Sequence, residues 1–280
     1  MATSYVDRLK RRTGKKFRRS VGIRLRTFRQ LYRQVRDAIE QERREQPLKR
    51  RGKKSKTLHI EDKLLLTLVY LRQYHTFDDL GEQFGISESY AQKIFHRYLD
   101  ILVKLLRLPG KKALLEEGIE AVLIDVTEQP MERPVKKQRQ WFSGKKKRHT
   151  ITTQLIVCLK TLQILLVVCD KGRTHDFKIL KKGRLKILKE LKKYGDSGYQ
   201  GIVKLYENSR TPHKKPKGGE LTPKQKEENR ILARLRTPIE HVNRRCKIFR
   251  IVKETYRGKH KNSLKVWTVI AGLVNLRYAQ

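Results

Sequence analysis

The segment Leu108-Pro109-Gly110-Lys111-Lys112 sets the first limit on how this chain can fold. Proline followed by glycine cannot continue a helix, so the segment predicts a domain boundary. The hydrophobic pattern changes across it. Before it, apolar residues recur every three or four positions, the period of helices packed by one face. After Glu120 they gather into short, continuous runs rich in β-branched residues, as buried strands do. The expectation is an all-α region followed by an α/β region, with helices packed on a sheet of mixed direction.

Upstream of the break, Leu25, Phe28, Leu31, Tyr32, Val35 and Ile39 mark a long amphipathic helix, and Phe17 and Val21 a shorter one ending near Gly22. Residues 1–56 hold 21 Lys or Arg and 5 Asp or Glu and read as a basic helical arm. Its last stretch, PLKRRGKKSK (47–56), has no apolar period and reads as a basic connector that can lie along a phosphate backbone or stay solvated. Residues 57–110 contain a Leu-rich helix at 60–73 and then two capped helices. Thr76 caps the first, with Asp79 three residues on, and Ser87 caps the second, which runs from Glu88 to about Leu106. Gly85 lies in the turn between them. This is a helix-turn-helix pattern, although a helical hairpin packed on a core has the same outline. In a DNA-binding version the second helix enters the major groove, and Ser89, Gln92, Lys93, His96 and Arg97 face the duplex.

Charge bears on that choice. Lys plus Arg number 68 against 28 Asp plus Glu, a net charge of +40. So basic a chain repels itself unless an anionic partner neutralises it; nucleic acid, such as double-stranded DNA, is the first expectation and an anionic membrane surface the second. The 38% of hydrophobic residues can build a core, which a disordered basic tail cannot. No apolar stretch approaches the ~20 residues of a membrane span, and no secretory signal is expected. The three cysteines show no CxxC spacing, which predicts reduced thiols in the cytoplasm rather than a disulfide framework.

Downstream, Ala121–Val126 predicts a short strand with Asp125 at its end, and 150–159 and 163–169 predict two more strands. A helix follows from about His175. The stretch 186–194 is ambiguous between helix and strand and leads into the turn Gly195-Asp196-Ser197-Gly198. A long helix spans 222–252, which Pro238 either kinks or restarts with Thr237 as cap. If the first and last strands are neighbours, Asp125 and Asp196 emerge side by side, and the long helix can bring Glu240 between them. Converging carboxylates repel unless a cation is present. All-oxygen ligation suits Mg²⁺ or Mn²⁺, and two such ions support in-line phosphoryl transfer. Each acid also has an ordinary explanation: Asp196 as a turn residue, Glu240 paired with Arg244, Asp125 capping a loop.

The runs IDVTEQPMERP (124–134), WFSGKKKRHT (141–150), KGRTHDFKIL (171–180), DSGYQGI (196–202) and PIEHVNRRCKIFRIV (238–252) resemble the DDE transposases of bacterial insertion sequences. The nearest group is the insertion-sequence-five family, related to the Harbinger transposases. The resemblance runs from about Lys15 to the C-terminus. It implies an RNase H-like catalytic domain over 118–280, with Asp125, Asp196 and Glu240 as catalytic and metal-binding residues and Mg²⁺ or Mn²⁺ as cofactor. It implies binding of terminal inverted repeats, metal-dependent hydrolysis at the element end, strand transfer into target DNA, and a homodimer on DNA. Lys145, Lys146, Lys147 and Arg148 are expected to contact phosphates, and Arg244 and Arg245 to clamp the scissile or flanking phosphates. Asp176, in the same family motif as His175, is explained as a helix cap, which leaves Asp196 as the second acid. Val126 stands where the family often has Gly, and KELKKYG before Asp196 is more polar than the family's usual strand. The alternative is a catalytically silent, domesticated DNA-binding protein of the same descent.

Overall fold

The structure is a computed structural model that describes residues 5–45, 58–116, 118–183 and 185–278, so the 47–56 connector lies outside the described residues. The chain divides into two compact units. One comprises residues 1–107 with 248–253 and 268–280, and the other 108–247 with 254–267. The division falls at the Pro-Gly break, between Arg107 and Leu108. The C-terminal segments 248–253 and 268–280 group with the first unit.

In the first unit, α1 (Tyr5–Lys10), α2 (Gly14–Val21) and α3 (Leu25–Glu45) form the arm. Gly22 ends α2 in a left-handed conformation, its N–H donating to Arg18 O. Phe17, Val21, Phe28, Leu31, Val35 and Ile39 are all buried, as their spacing requires. Three more helices follow: α4 (Ile60–Gln73), α5 (Phe77–Phe84) and α6 (Glu88–Leu105). Both predicted caps form. Thr76 Oγ1 accepts from Asp79 N at 3.0 Å, and Ser87 Oγ accepts from Tyr90 N at 3.3 Å. The α5–α6 turn is tight because Gly81 has no side chain: a Cβ there would lie 2.7 Å from the Ile86 carbonyl oxygen.

The second unit is built on a six-stranded sheet of β1 (Ala121–Pro130), β2 (Phe142–Ser143), β3 (Arg148–Cys158), β4 (Ile164–Lys171), β5 (Lys192–Tyr194) and β6 (Ser209–Arg210). β3 pairs antiparallel with β1, β2 and β4, whereas β1, β5 and β6 run parallel. Three long antiparallel strands followed by two short parallel ones, with helices alongside, make an α/β, RNase H-like arrangement. The helix α7 (Gln138–Trp141) leads into β2, and α8 (Asp176–Gly183) follows β4. The long helix α9 (Pro223–Lys247) packs on β1. After it come α10 (Arg250–Lys253), in the first unit, and α11 (Ser263–Tyr278), which begins in the second unit and ends in the first.

Three expectations are corrected. β1 does not end near Asp125 but continues to Pro130, because β3 pairs with it over that whole length, out to Pro130 opposite Thr150. Residues 186–191 form neither helix nor strand, and β5 is only three residues long. Its polarity is resolved by Lys193, which is buried with its ammonium donating to Glu207 O at 2.7 Å. Finally, Pro238 neither ends nor restarts the long helix, which runs through it. Thr237 is not a cap, since its hydroxyl donates back to Ala233 O at 3.1 Å.

Candidate active site

Strand register brings the first two acids together. β1 and β5 are parallel neighbours with Leu123 opposite Tyr194. Two residues further along each chain are Asp125 and Asp196, so both leave the paired region at the same level. Side chains alternate along a strand. Val122 and Ile124 therefore face the core cluster with Ile156 and Cys158, and Asp125 faces the other way. Val126 also packs against that core cluster, so its side chain does not crowd the Asp125 face.

Burial leaves Asp125 in an unusual state. Its carboxyl is pushed up from the ordinary 3.8 to about 6, chiefly by desolvation, with Asp196 and Asp176 adding repulsion and Arg236 opposing. α9 supplies the contacts to it. Asn243 Nδ2 donates to Asp125 Oδ2 at 2.6 Å, and Arg236 Nη2 lies 3.5 Å from Asp125 Oδ1. At ~100° per residue, Arg236, Glu240, Asn243 and Lys247 form one stripe on α9 about 60° wide. Lys247 is close enough for Asp125 to act on its charge. Glu240 therefore shares the face turned toward Asp125, but it is exposed, and among the described residues no three His, Cys, Asp or Glu side chains close into a metal cage.

Asp196 sits just after β5 and caps a 3-10 turn, Ser197–Tyr199, accepting from Gly198 N at 2.9 Å. Gly198 is required by its neighbours. A Cβ there would lie 2.5 Å from Asp176 Oδ2 and 3.0 Å from Asp196 Oδ1, so the two carboxylates face each other across this glycine. Asp176 is the first residue of α8, and its carboxyl is raised by burial and then by Asp196. Tyr199 is fully buried, with its hydroxyl accepting from Gln154 Nε2 at 2.6 Å.

The arrangement fits a divalent cation. Burial raises the proton affinity of Asp125 and Asp176, and Asp196 repels both, a strain that a cation would relieve. Asn243 Oδ1, buried beside Asp125, has no hydrogen-bond partner among the described residues. Asp125, Asp196 and, from the α9 stripe, Glu240 would hold the ion.

Cations lie around these acids. Lys145, Lys146 and Lys147 form the exposed turn before β3, and Arg148 begins that strand. Lys145 acts on Asp176, and Lys146 helps push the Lys247 ammonium down. Arg244 is exposed, 3.3 Å from His241 Nδ1. Arg245 lies about half a turn from the Arg236 stripe and does not face Asp125. In the first unit Ser89, Gln92, Lys93, His96 and Arg97 are all exposed along α6, and Arg97 also reaches Glu42 at 3.5 Å.

Sequence reasoning missed Arg236, Asn243 and Lys247. Their spacing of 4, 3 and 4 with Glu240 was the available signal. It was hidden because polar residues on a basic helix look like a solvated face.

Residues 124–275 match the family described as DDE superfamily endonuclease, and residues 56–108 match the helix-turn-helix of DDE superfamily endonuclease. The chain is 40% identical over 278 residues to a protein of Microchaete diplosiphon named as a transposase for insertion sequence element IS702, covering 98% of each. It is 26% identical over 201 residues to a protein of Streptomyces albus G named as a transposase for insertion sequence element IS112, covering 71% of this chain and 73% of that one. No solved structure matches at a significant level.

Proposed function

Because the chain belongs to the DDE superfamily of endonucleases and acts as a DNA transposase, we propose that Asp125, Asp196 and Glu240 are its catalytic triad. The observation that carries this reading is the parallel register of β1 and β5, which brings Asp125 and Asp196 level beside a helix that carries Glu240 on the same stripe. Within the superfamily we assign the chain to the insertion-sequence-five family, related to the Harbinger transposases, on the five motifs quoted above. No helix among the described residues is long and apolar enough to cross a membrane. The setting proposed is the bacterial cytoplasm, on the nucleoid.

α6 reads the terminal inverted repeats through Ser89, Gln92, Lys93, His96 and Arg97. The turn at Lys145–Arg148 and Arg244 hold phosphates near the acids. Mg²⁺ or Mn²⁺, as two ions when bound, supplies Lewis acidity and charge neutralisation for the phosphoryl group. The protein's part is to hold DNA in line, with Arg236 and Asn243 fixing Asp125. Water attacks the phosphorus at the element end and the 3′-oxygen leaves as a hydroxyl. That 3′-hydroxyl then attacks a target phosphodiester and displaces its 3′-oxygen. Two ends must be cut together, so the working form is a homodimer on DNA.

The test is a cleavage and strand-transfer assay with element-end DNA and Mg²⁺. Joined products support the reading. Cutting without joining would make the chain a nuclease of the same core, and binding alone would make it a silent DNA-binding relative. Phosphate contact by the basic turn predicts a further result. Replacing Lys145, Lys146 and Lys147 together by Ala should lower the slope of log affinity against log salt by up to about 3. An unchanged slope would place that turn away from the DNA.

A further inference from the structure

We propose that Asn243 is a positioning residue for the metal-binding carboxylate of Asp125, an inference that rests on the site reading above. Asn243 is only 9% exposed, on the α9 stripe between Glu240 and Lys247. Its Nδ2 donates to Asp125 Oδ2 at 2.6 Å, while Arg236 lies 3.5 Å from Oδ1. The carboxylate is thus gripped at both oxygens by one helix, which fixes its rotation about the Cβ–Cγ bond. Each oxygen keeps lone-pair capacity for a cation.

A second observation points the same way. Asn243 Oδ1 is buried and has no donor within the described protein. A buried acceptor without a partner is costly, and such groups are rare in folded proteins. One side of this amide therefore holds the carboxylate, and the other is left for a hydrogen-bond donor that the described residues do not supply. A water of the metal's shell, or the attacking water or 3′-hydroxyl, has the required O–H. A purely structural asparagine would be expected to have both its ends satisfied by protein groups.

Groups that orient metal ligands typically contribute about 10–100-fold in metal affinity or activity. The test measures Mn²⁺ binding to the full chain by titration calorimetry or paramagnetic resonance, without DNA, for wild type, Asn243→Leu, Asn243→Asp and Asp125→Asn. Asn243→Leu keeps the branched shape and loses both polar functions. It should weaken Mn²⁺ binding about 10–100-fold. Asn243→Asp adds a carboxylate and should recover or exceed wild-type Mn²⁺ affinity. It loses the N–H grip on Asp125, however, so DNA cleavage at saturating metal should stay depressed. Melting curves in chelator report whether each variant is folded. If Asn243→Leu disrupts folding, Asn243→Asp carries the test through its split between metal affinity and cleavage. Wild-type Mn²⁺ affinity together with wild-type cleavage in folded Asn243→Leu would overturn the proposal. If Asp125→Asn itself keeps full Mn²⁺ affinity, the site reading fails instead, and the two failures are distinguishable.

Discussion

Asp125→Asn is expected to abolish DNA cleavage while making the metal-free protein more stable at neutral pH. Both effects come from the same burial. The folded carboxyl titrates at about 6, against 3.8 when unperturbed. Above pH 6 both folded and unfolded states ionise, and the folded state carries the full cost of a desolvated charge among other acids. That cost is on the order of 3 kcal/mol. As pH falls below 6 the folded carboxyl takes up a proton before the unfolded one does, and the cost fades, vanishing below about pH 3.8. An amide never pays it, although it also forgoes the Arg236 pair. Denaturation in chelator should therefore show Asp125→Asn more stable than wild type at pH 7.5, with the two converging near pH 4. Adding Mg²⁺ should raise the melting temperature of wild type and leave the variant unmoved. Cleavage in the variant should fall by on the order of 10²–10³-fold or more, as when one charge-stabilising group leaves an active site. A less stable variant, or equal stabilisation of both proteins by Mg²⁺, would mean that Asp125 is a structural acid.

Gly22→Val should produce the largest loss of folding stability. Gly22 has φ of +87°, a conformation that a β-branched residue resists, and it closes α2 through its N–H to Arg18 O. A Cβ there would also run into the Phe249 ring, meeting Cε1 and lying 2.6 Å from Cζ. Phe249 belongs to the same compact unit and is itself 1% exposed, so its ring has little freedom to move aside. Backbone strain and overpacking together should cost about 2–4 kcal/mol. Chemical denaturation followed by circular dichroism would show the loss. Gly22→Ala should be milder but still destabilising. Wild-type stability in Gly22→Val would contradict the close packing of Gly22 against Phe249.

The helical unit was the more legible half of the chain. Thr76, Ser87 and Gly22 act locally, through caps and a left-handed turn, and local chemistry can be read from neighbouring letters. The sheet was harder. The polar Thr127, Glu128 and Gln129 hid the second half of β1, because their partners Thr153, Thr152 and Ile151 lie more than twenty residues away. In the same way Lys193 disguised β5, since a lysine ammonium satisfied by a distant carbonyl leaves no trace in composition. Asp125 and Asp196 were singled out because one closes an apolar run, the other lies in a glycine-flanked turn, and the motifs around both resemble those of DDE transposases. Asn243 was not, because its role depends on which face of α9 meets β1.

Asp176 was read as a cap because it opens a helix. The structure places it as the first residue of α8, across Gly198 from Asp196, so repulsion between the two acids accompanies any helix-start role. The site is therefore richer in acid than the three-residue pattern implies, and its need for a cation is correspondingly greater.

The decisive assay is strand transfer with an element-end duplex and a supercoiled target in Mg²⁺, comparing wild type with Asp196→Ala. Wild type should release a 3′-hydroxyl and join it to target. Asp196→Ala should bind the same end with the same salt dependence and give no joined product. Joining by Asp196→Ala at the wild-type rate would contradict the triad and leave the convergence of Asp125 and Asp196 without a catalytic role.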